Sequence, residues 1–511
     1  MRIGHKCRRF LARSFVLGVA ALMAATLTPR SGLAASQQKA LYSFCATAVG
    51  FYCIDGAFPL AGLIQDDSGN LYGTTEDGGA GGAGTVFQLT PNKTKTVWAH
   101  KVLYRFCAQG GGNCTDGAFP EAGVIRDASG HLYGTTDDGG AGGEGTVFEL
   151  TPPAPGKTLW KEKVLYSFCT QSDCIDGAFP DAGLIQDASG NLYGTTTEGG
   201  TAGGGTVFEL MPPAPGKTLW KEIVLYSFCG GGDCSDGRRP EARLIRDALS
   251  GNLFGTTSEG GTSDDGTVFE LTPPATGQTL WTETVLYSFC AQSNCTDGDA
   301  PEARLTRDPS GNLYGTTAFG GTFGDAGVVF QLTPPAMGQT LWTETVLHSF
   351  CARGGRNCTD GERPEAGLIR DASANLYGTT DEGGAAGGGT VFELTPPAPG
   401  KTLWTETVLY SFCVQGGSNC TDGSFPAADL IRDASGHLYG TTSEGGANSV
   451  ACGGGTVFEL VTPAKLVLRD RDRSAEPVSQ LGQSVICAGD SAAVEGGAHA
   501  GGAVSEAAKK P

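Results

Sequence analysis

The sequence predicts an all-β chain folded as a seven-bladed β-propeller, with four antiparallel strands per blade and the ring closed by the N-terminal strand. Three observations carry this. The tyrosine of an "LYSF" phrase falls at Tyr42, Tyr104, Tyr166, Tyr226 and Tyr287, is replaced by His348, and returns at Tyr410. The steps between them are 62, 62, 60, 61, 61 and 62 residues, a strict period of the kind repeat folds show. Each unit divides into four short runs with strand character, and four strands in about 61 residues make one propeller blade. The chain also begins and ends out of phase with its own repeat, as a closed ring requires.

The elements follow in order within a unit. "AGLIRDA" is short, apolar and uniform in length, which suits the innermost strand. A Ser-Gly-Asn or Ser-Gly-His turn leads into "NLYGTT", a tight hairpin. A glycine-rich loop such as "DEGGAAGGG" leads to "TVFELTPP". A proline-containing turn then gives "KTLWTETVLYSF", whose alternation fits a strand with one buried face. All six tryptophans, Trp98, Trp160, Trp220, Trp281, Trp342 and Trp404, belong to this outermost segment. The 81 glycines therefore read as turn residues between strands, not as a mark of disorder.

The ends supply the closure. The chain opens with an outer-strand phrase, "KALYSFC" (39–45), before any inner strand has appeared. It closes its last unit with "GTVFELVTP" (455–463), after which no outer-strand phrase returns. The N-terminal strand is thus expected to complete the seventh blade and remove the open sheet edge. "AKLVLRD" (464–470) is the weaker candidate for that place.

Outside the repeat, residues 1–35 read as a secretory signal peptide. "MRIGHKCRRFLAR" is basic, "SFVLGVAALMAATL" is apolar, and "SGLAAS" offers small residues for cleavage. The apolar run is too short for a membrane span, so no transmembrane segment is expected once the signal is removed. Residues 36–463 form the propeller. Residues 464–511 are charged or small without apolar periodicity, and are expected to stay disordered.

Removal of the signal would leave 29 Lys and Arg against 54 Asp and Glu, a net charge of −25. Such a surface repels nucleic acid and leaves an extracellular protein, a glycan or a cation as the expected partner. The 17 cysteines point the same way. Fourteen form seven local pairs: Cys45 with Cys53, Cys107 with Cys114, Cys169 with Cys174, Cys229 with Cys234, Cys290 with Cys295, Cys351 with Cys358 and Cys413 with Cys420. Zinc would need four ligands and a recurring histidine, and neither is present, so disulfides are expected. Cys7 would leave with the signal, so Cys452, in the glycine-rich loop of unit seven, and Cys487, in the tail, remain to pair with each other, the alternative being pairing between molecules. The expected location is secreted, periplasmic or at the cell surface.

The repeated phrase "VLYSF…DGxxPxAxLIxDxSGNLYGTTxxGG…GGTVFEL" resembles the GloVer tandem repeat of bacterial exported proteins over residues 41–462. The resemblance implies a secreted or surface repeat protein. The chain departs from that pattern in its paired cysteines and in showing no C-terminal hydrophobic anchor.

In an up-and-down blade the cysteine loop and the glycine-rich loop emerge on one face. That face would carry Asp55, Asp116, Asp176, Asp236, Asp297, Asp360 and Asp422 of the "DG" motifs, beside the acids of the glycine-rich loops. An acidic ring suits calcium, which takes oxygen ligands. Asp before Gly is equally ordinary turn chemistry. The "GTT" threonines could line a glycan site or satisfy backbone groups at the turn. His100, His131, His348, His437 and His499 are scattered over different repeat positions. The expected function is a binding or structural scaffold acting through the acidic loop face. The alternative is a metal-dependent propeller enzyme of lyase or lactonase type, acting on glycans or small molecules. An enzyme should betray itself by residues that break the repeat and converge on the channel.

Overall fold

The computed structural model describes residues 36–462, apart from 50–51, 109–113, 276–277, 279, 355–357 and 449–453. The signal-peptide segment, the tail, Cys452, Cys487 and the "AKLVLRD" run lie outside the described residues.

Seven four-stranded antiparallel sheets follow one another along the chain. The second blade is representative: Ile125–Arg126 pairs with Leu132–Thr136, that strand with Thr146–Thr151, and that in turn with Lys161–Ser167. The seventh sheet is completed by Gln37–Ser43, which pairs antiparallel with Thr456–Val461 from Gln37↔Val461 to Ser43↔Thr456. The first strand of the chain is therefore the outer strand of the last blade.

Burial follows position in the blade. In the second strand all five residues of "LYGTT" are buried, because a neighbouring blade covers each face. The third strand alternates only near its end, and the outer strand alternates along most of its length. The glycine at the centre of "LYGTT" is a packing requirement. A Cβ on Gly194 would lie 2.6 Å from the Cζ of Phe208 and 3.0 Å from Leu184. The missing side chain lets the third-strand phenylalanine reach across its own sheet, where Phe208 is fully buried.

Blades adhere through the same phenylalanine. Phe44–Phe87, Phe106–Phe148, Phe168–Phe208, Phe228–Phe269, Phe289–Phe330, Phe350–Phe392 and Phe412–Phe458 pair across blade boundaries at 5.0–5.1 Å between ring centres. Each such pair contributes about 0.5–1.5 kcal/mol beyond its buried area. In six of the seven blades the first threonine of "GTT" adds a bond to the next blade's inner segment, as in Thr74 Oγ1 to Ala122 O (2.9 Å), Thr195 being the exception. Thr441 Oγ1 donates to Ala61 O (3.0 Å), joining blade seven to blade one. The second threonine meets the third strand, as in Thr75 with Thr85 (2.8 Å). These threonines are at most 1% exposed, so they serve the backbone and are closed to a glycan.

Two features depart from the sequence reading. The inner strand forms only a two-residue ladder, as at Ile125–Arg126. The third and outer strands also slip register by one residue in every blade, for example between Val147 and Phe148. A bulge of this kind bends and twists the strand. Here it turns the tyrosine of "LYSF" toward the cysteine loop.

Candidate functional site

The loop side of each blade is built around its "DG" aspartate. Six tyrosines of the "LYSF" phrase donate their hydroxyls to these carboxylates at 2.7–2.9 Å, from Tyr42 to Asp55 through Tyr410 to Asp422. In the sixth unit His348 stands in place of tyrosine, with Nε2 3.6 Å from Asp360. Six of these carboxylates also accept backbone N–H groups from the cysteine loop. Asp55 takes Ala46 and Thr47 (3.0 and 3.1 Å), and Asp297 takes Ala291 and Gln292 (2.9 and 3.2 Å). Six of the seven aspartates are at most 6% exposed, and Asp236 is half-buried. Each aspartate serves the loop of its own repeat unit.

All seven local disulfides are present, with Cα separations of 4.0–4.6 Å. The first cysteine of every pair sits in the left-handed region, with φ between 54° and 64°. A non-glycine residue there costs about 1 kcal/mol. The bridge holds this conformation in every repeat, and the aspartate's backbone hydrogen bonds support it in six. Just after the "DG", the chain pairs with the glycine-rich loop, as in Ala57 with Asp77 and Ser424 with Glu444. The expectation that the two loop types share one face is met in all seven blades.

A second layer of acids lies behind the aspartates. The neighbouring outer strand places Glu162 near Asp116, Glu222 near Asp176, Glu283 near Asp236 and Glu344 near Asp297, each with one oxygen buried and unpartnered. Burial first, and then the aspartate's charge, push Glu162, Glu222 and Glu283 up to about 7 and Glu344 to about 8. In the sixth station Arg353 pairs with Glu406 at 2.6 Å. At the seam between blades seven and one His100 takes the glutamate's place. It stacks on Tyr42 at 4.1 Å beside a cleft of about 400 Å³ that Arg105 also lines. Burial lowers His100 to about 4.

Nearer the axis, the residue between proline and alanine of "PxA" precedes each inner strand. It is acidic in five units: Glu121, Asp181, Glu241, Glu302 and Glu365. Glu121, Asp181 and Glu241 lie close together at the channel mouth. Burial raises the Asp181 carboxyl well above its ordinary value, a hydrogen bond with Asp137 adds to this, and the charges of Glu121 and Glu241 add further. Arg239 flanks this cluster, pairing with Glu241 (2.9 Å), and Arg363 pairs with Glu365 (2.8 Å).

The next column inward breaks the repeat. It reads Gly62, Gly123, Gly183, Arg243, Arg304, Gly367 and Asp429. Arg304 pairs with Asp429 across the throat, and the Gly367 N–H donates to the other Asp429 oxygen at 2.6 Å. Burial would raise Asp429, but Arg304 and Arg243 overcome it and hold the carboxyl below its ordinary value. The glycines admit this crossing, since a Cβ on Gly367 would lie 2.5 Å from Arg304 and one on Gly62 2.9 Å from Asp429. Repeat-breaking residues thus do converge on the channel. Both oxygens of the acid are engaged, so the cluster braces the throat and leaves no free base or nucleophile in Asp429.

Sequence reasoning found the aspartates and the cysteines and missed the buried glutamates, the mouth acids and the throat. The last two were readable by stacking the seven units in register and inspecting each column. Among the described residues the histidines do not form a cluster. His131 approaches Asp127 and Glu149 (3.2 and 3.3 Å), and His437 lies 2.9 Å from Glu459, both in hairpin positions otherwise held by asparagine. His499 lies outside the described residues.

The profile of the Gloeobacter/Verrucomicrobia repeat matches the chain in three overlapping runs, residues 30–185, 102–308 and 305–485. No curated protein matches it in sequence. Among solved structures it is similar to PorZ of Porphyromonas gingivalis, titled an essential bacterial surface component of the type-IX secretion system. That likeness has 14% identity and a TM-score of 0.44, and covers 82% of this chain and 49% of PorZ. The chain therefore spans about half the length of PorZ. A putative 6-phosphogluconolactonase from Bacteroides uniformis is 12% identical (TM-score 0.41, 71% of this chain and 86% of that one). A putative glucose dehydrogenase from Thermus thermophilus is 14% identical (TM-score 0.35, 83% and 100%). Likenesses at this level carry no activity over to this chain.

Proposed function

The chain belongs to the Gloeobacter/Verrucomicrobia repeat family, and from that premise we propose that it is an exported propeller that binds cationic ligands through its acidic loop face. Seven disulfides favour an oxidising compartment outside the cytoplasm. Their loops differ in sequence inside pinned ends, which suits display on a rigid ring.

The observation that carries the reading is the cluster around Asp181. Asp137, Glu121 and Glu241 surround a carboxyl whose Oδ1 is buried and unpartnered. Like charges crowded in this way are relieved by a positive group, which makes the mouth a place for a basic side chain or amine.

The test is a titration of the folded protein with a labelled oligolysine. Binding should weaken with added salt. It should fall by about tenfold or more in a Glu121→Gln, Asp181→Asn, Glu241→Gln variant. An unchanged affinity in that variant, or no binding by the parent protein, would overturn the reading.

A further inference from the structure

The channel changes the sign of its charge with depth. At the mouth, Glu121, Asp137, Asp181 and Glu241 stand against one guanidinium, Arg239, which pairs with Glu241 at 2.9 Å. In the throat the balance reverses. Arg243 and Arg304 share a single carboxylate, Asp429, whose two oxygens are already held by Arg304 and the Gly367 N–H. Arg243 is left over. Among the described residues its Nε is buried without a hydrogen-bond partner, and its guanidinium forms no ion pair. Burial and then the charge of Arg304 work against its positive form, and Asp429 offsets them only in part. A cation in such a place is costly until an anion meets it.

A glycine fixes where Arg243 lies. Its stem crosses to the neighbouring blade, where a Cβ on Gly183 would lie 3.1 Å from the arginine Cδ. Gly183 follows Asp181 by two residues, a span of at most about 7 Å even in extended chain. The unpaired guanidinium is therefore within one short ligand's length of the crowded carboxyl. The adjoining blade leaves room beside it. The atoms nearest to a Cβ on Gly123 are backbone of Gly62 and the methyl of Ala61. Backbone, not a long side chain, lines the throat two residues on from Glu121.

We infer that Arg243 receives the carboxylate of a ligand whose ammonium group the mouth acids hold, so that the channel takes a small zwitterion of dipeptide length. This site extends the amine site proposed above and rests on it. Opposite charges at two depths select such a ligand against its competitors. A simple anion is repelled by the mouth acids, and a simple amine leaves Arg243 unpaired. A guanidinium holds a carboxylate through two parallel N–H bonds, a stronger contact than a neutral amide makes. Two residues of extended peptide also match the two-residue step from Asp181 to Gly183.

Calorimetric titration of the full chain with diglycine and with glycyl-glycinamide tests this. Both peptides carry the ammonium group, and only the first carries the carboxylate. The parent protein should bind diglycine about tenfold more tightly than the amide. An Arg243→Gln variant should bind the two alike while keeping the parent's affinity for a C-terminally amidated oligolysine, because the mouth acids are untouched. Equal affinities for acid and amide in the parent, no binding of either, or a preference that survives Arg243→Gln overturns the inference. The oligolysine separates the two levels. If it binds while diglycine shows no preference, the amine site stands and the throat site falls; if it does not bind, both fall.

Discussion

At Asp297 a single carboxylate holds together an outer strand, through Tyr287, and a disulfide loop, through two backbone N–H groups. The "DG" aspartate was legible in the sequence because such a pair marks a turn. Its tyrosine was not, because a one-residue bulge separates the strand's apparent alternation from the direction the side chain takes. The glycines of "LYGTT" show the same limit. A glycine within a strand signals close approach, but the sequence does not say to what. Packing against Phe208 and Leu184 now predicts the cost of filling the space at Gly194. Gly194→Ala should destabilise the protein by about 1–3 kcal/mol through overpacking. Gly203→Ala offers a comparison: nothing lies within 4 Å of its Cβ and φ is +78°, so it should cost about 1 kcal/mol from the backbone alone. Chemical denaturation of both variants distinguishes them, and equal losses would show that the ring contact does not govern the glycine.

Between blades, the element that matters is the outer strand, which brings a glutamate behind each aspartate. In the sequence these residues look like the exposed half of an alternating strand. Only docking of the next blade buries them. Glu162, Glu222, Glu283 and Glu344 are raised from 4.5 to about 7 or 8 in the folded chain. The folded state therefore binds more protons than the unfolded state between those values. Their stabilising contribution is full below pH 4.5 and is lost as pH rises through 7 to 8. His100 acts oppositely: lowered to about 4, it contributes above pH 6.5 and loses that contribution as pH falls toward 4. Four groups outweigh one, so the urea midpoint should fall between pH 5 and pH 8.5. Replacing the four glutamates by glutamine should flatten that slope. A midpoint equally steep in the variant would place the pH dependence elsewhere.

For the whole molecule, closure decides stability. The N-terminal strand supplies a backbone ladder to Thr456–Val461 and the tyrosine that binds Asp55. The residue after it, Phe44, packs on Phe87 of the first blade. Deleting Gln37–Ser43 should open an edge along Thr456–Val461, lower the melting temperature by several degrees and drive the protein to aggregate. Light scattering on the purified variant reads this out. A monomer that melts with the parent would mean that the ring holds without its seventh outer strand.

The sequence by itself determined the number of blades, the order of strands within them, the out-of-phase closure and the seven local cysteine pairs. All of these follow from period, alternation and short-range spacing, which are properties of the chain read along its length. Tertiary structure alone decided the phenylalanine ring between blades, the bulge that aims the tyrosines, and the burial that raises the outer-strand glutamates. It also decided that Arg243, Arg304 and Asp429, from three different blades, meet in one throat. The contacts between blades join residues 40 or more positions apart, and they depend on how closely seven sheets approach a common axis. No local pattern in the chain encodes that distance.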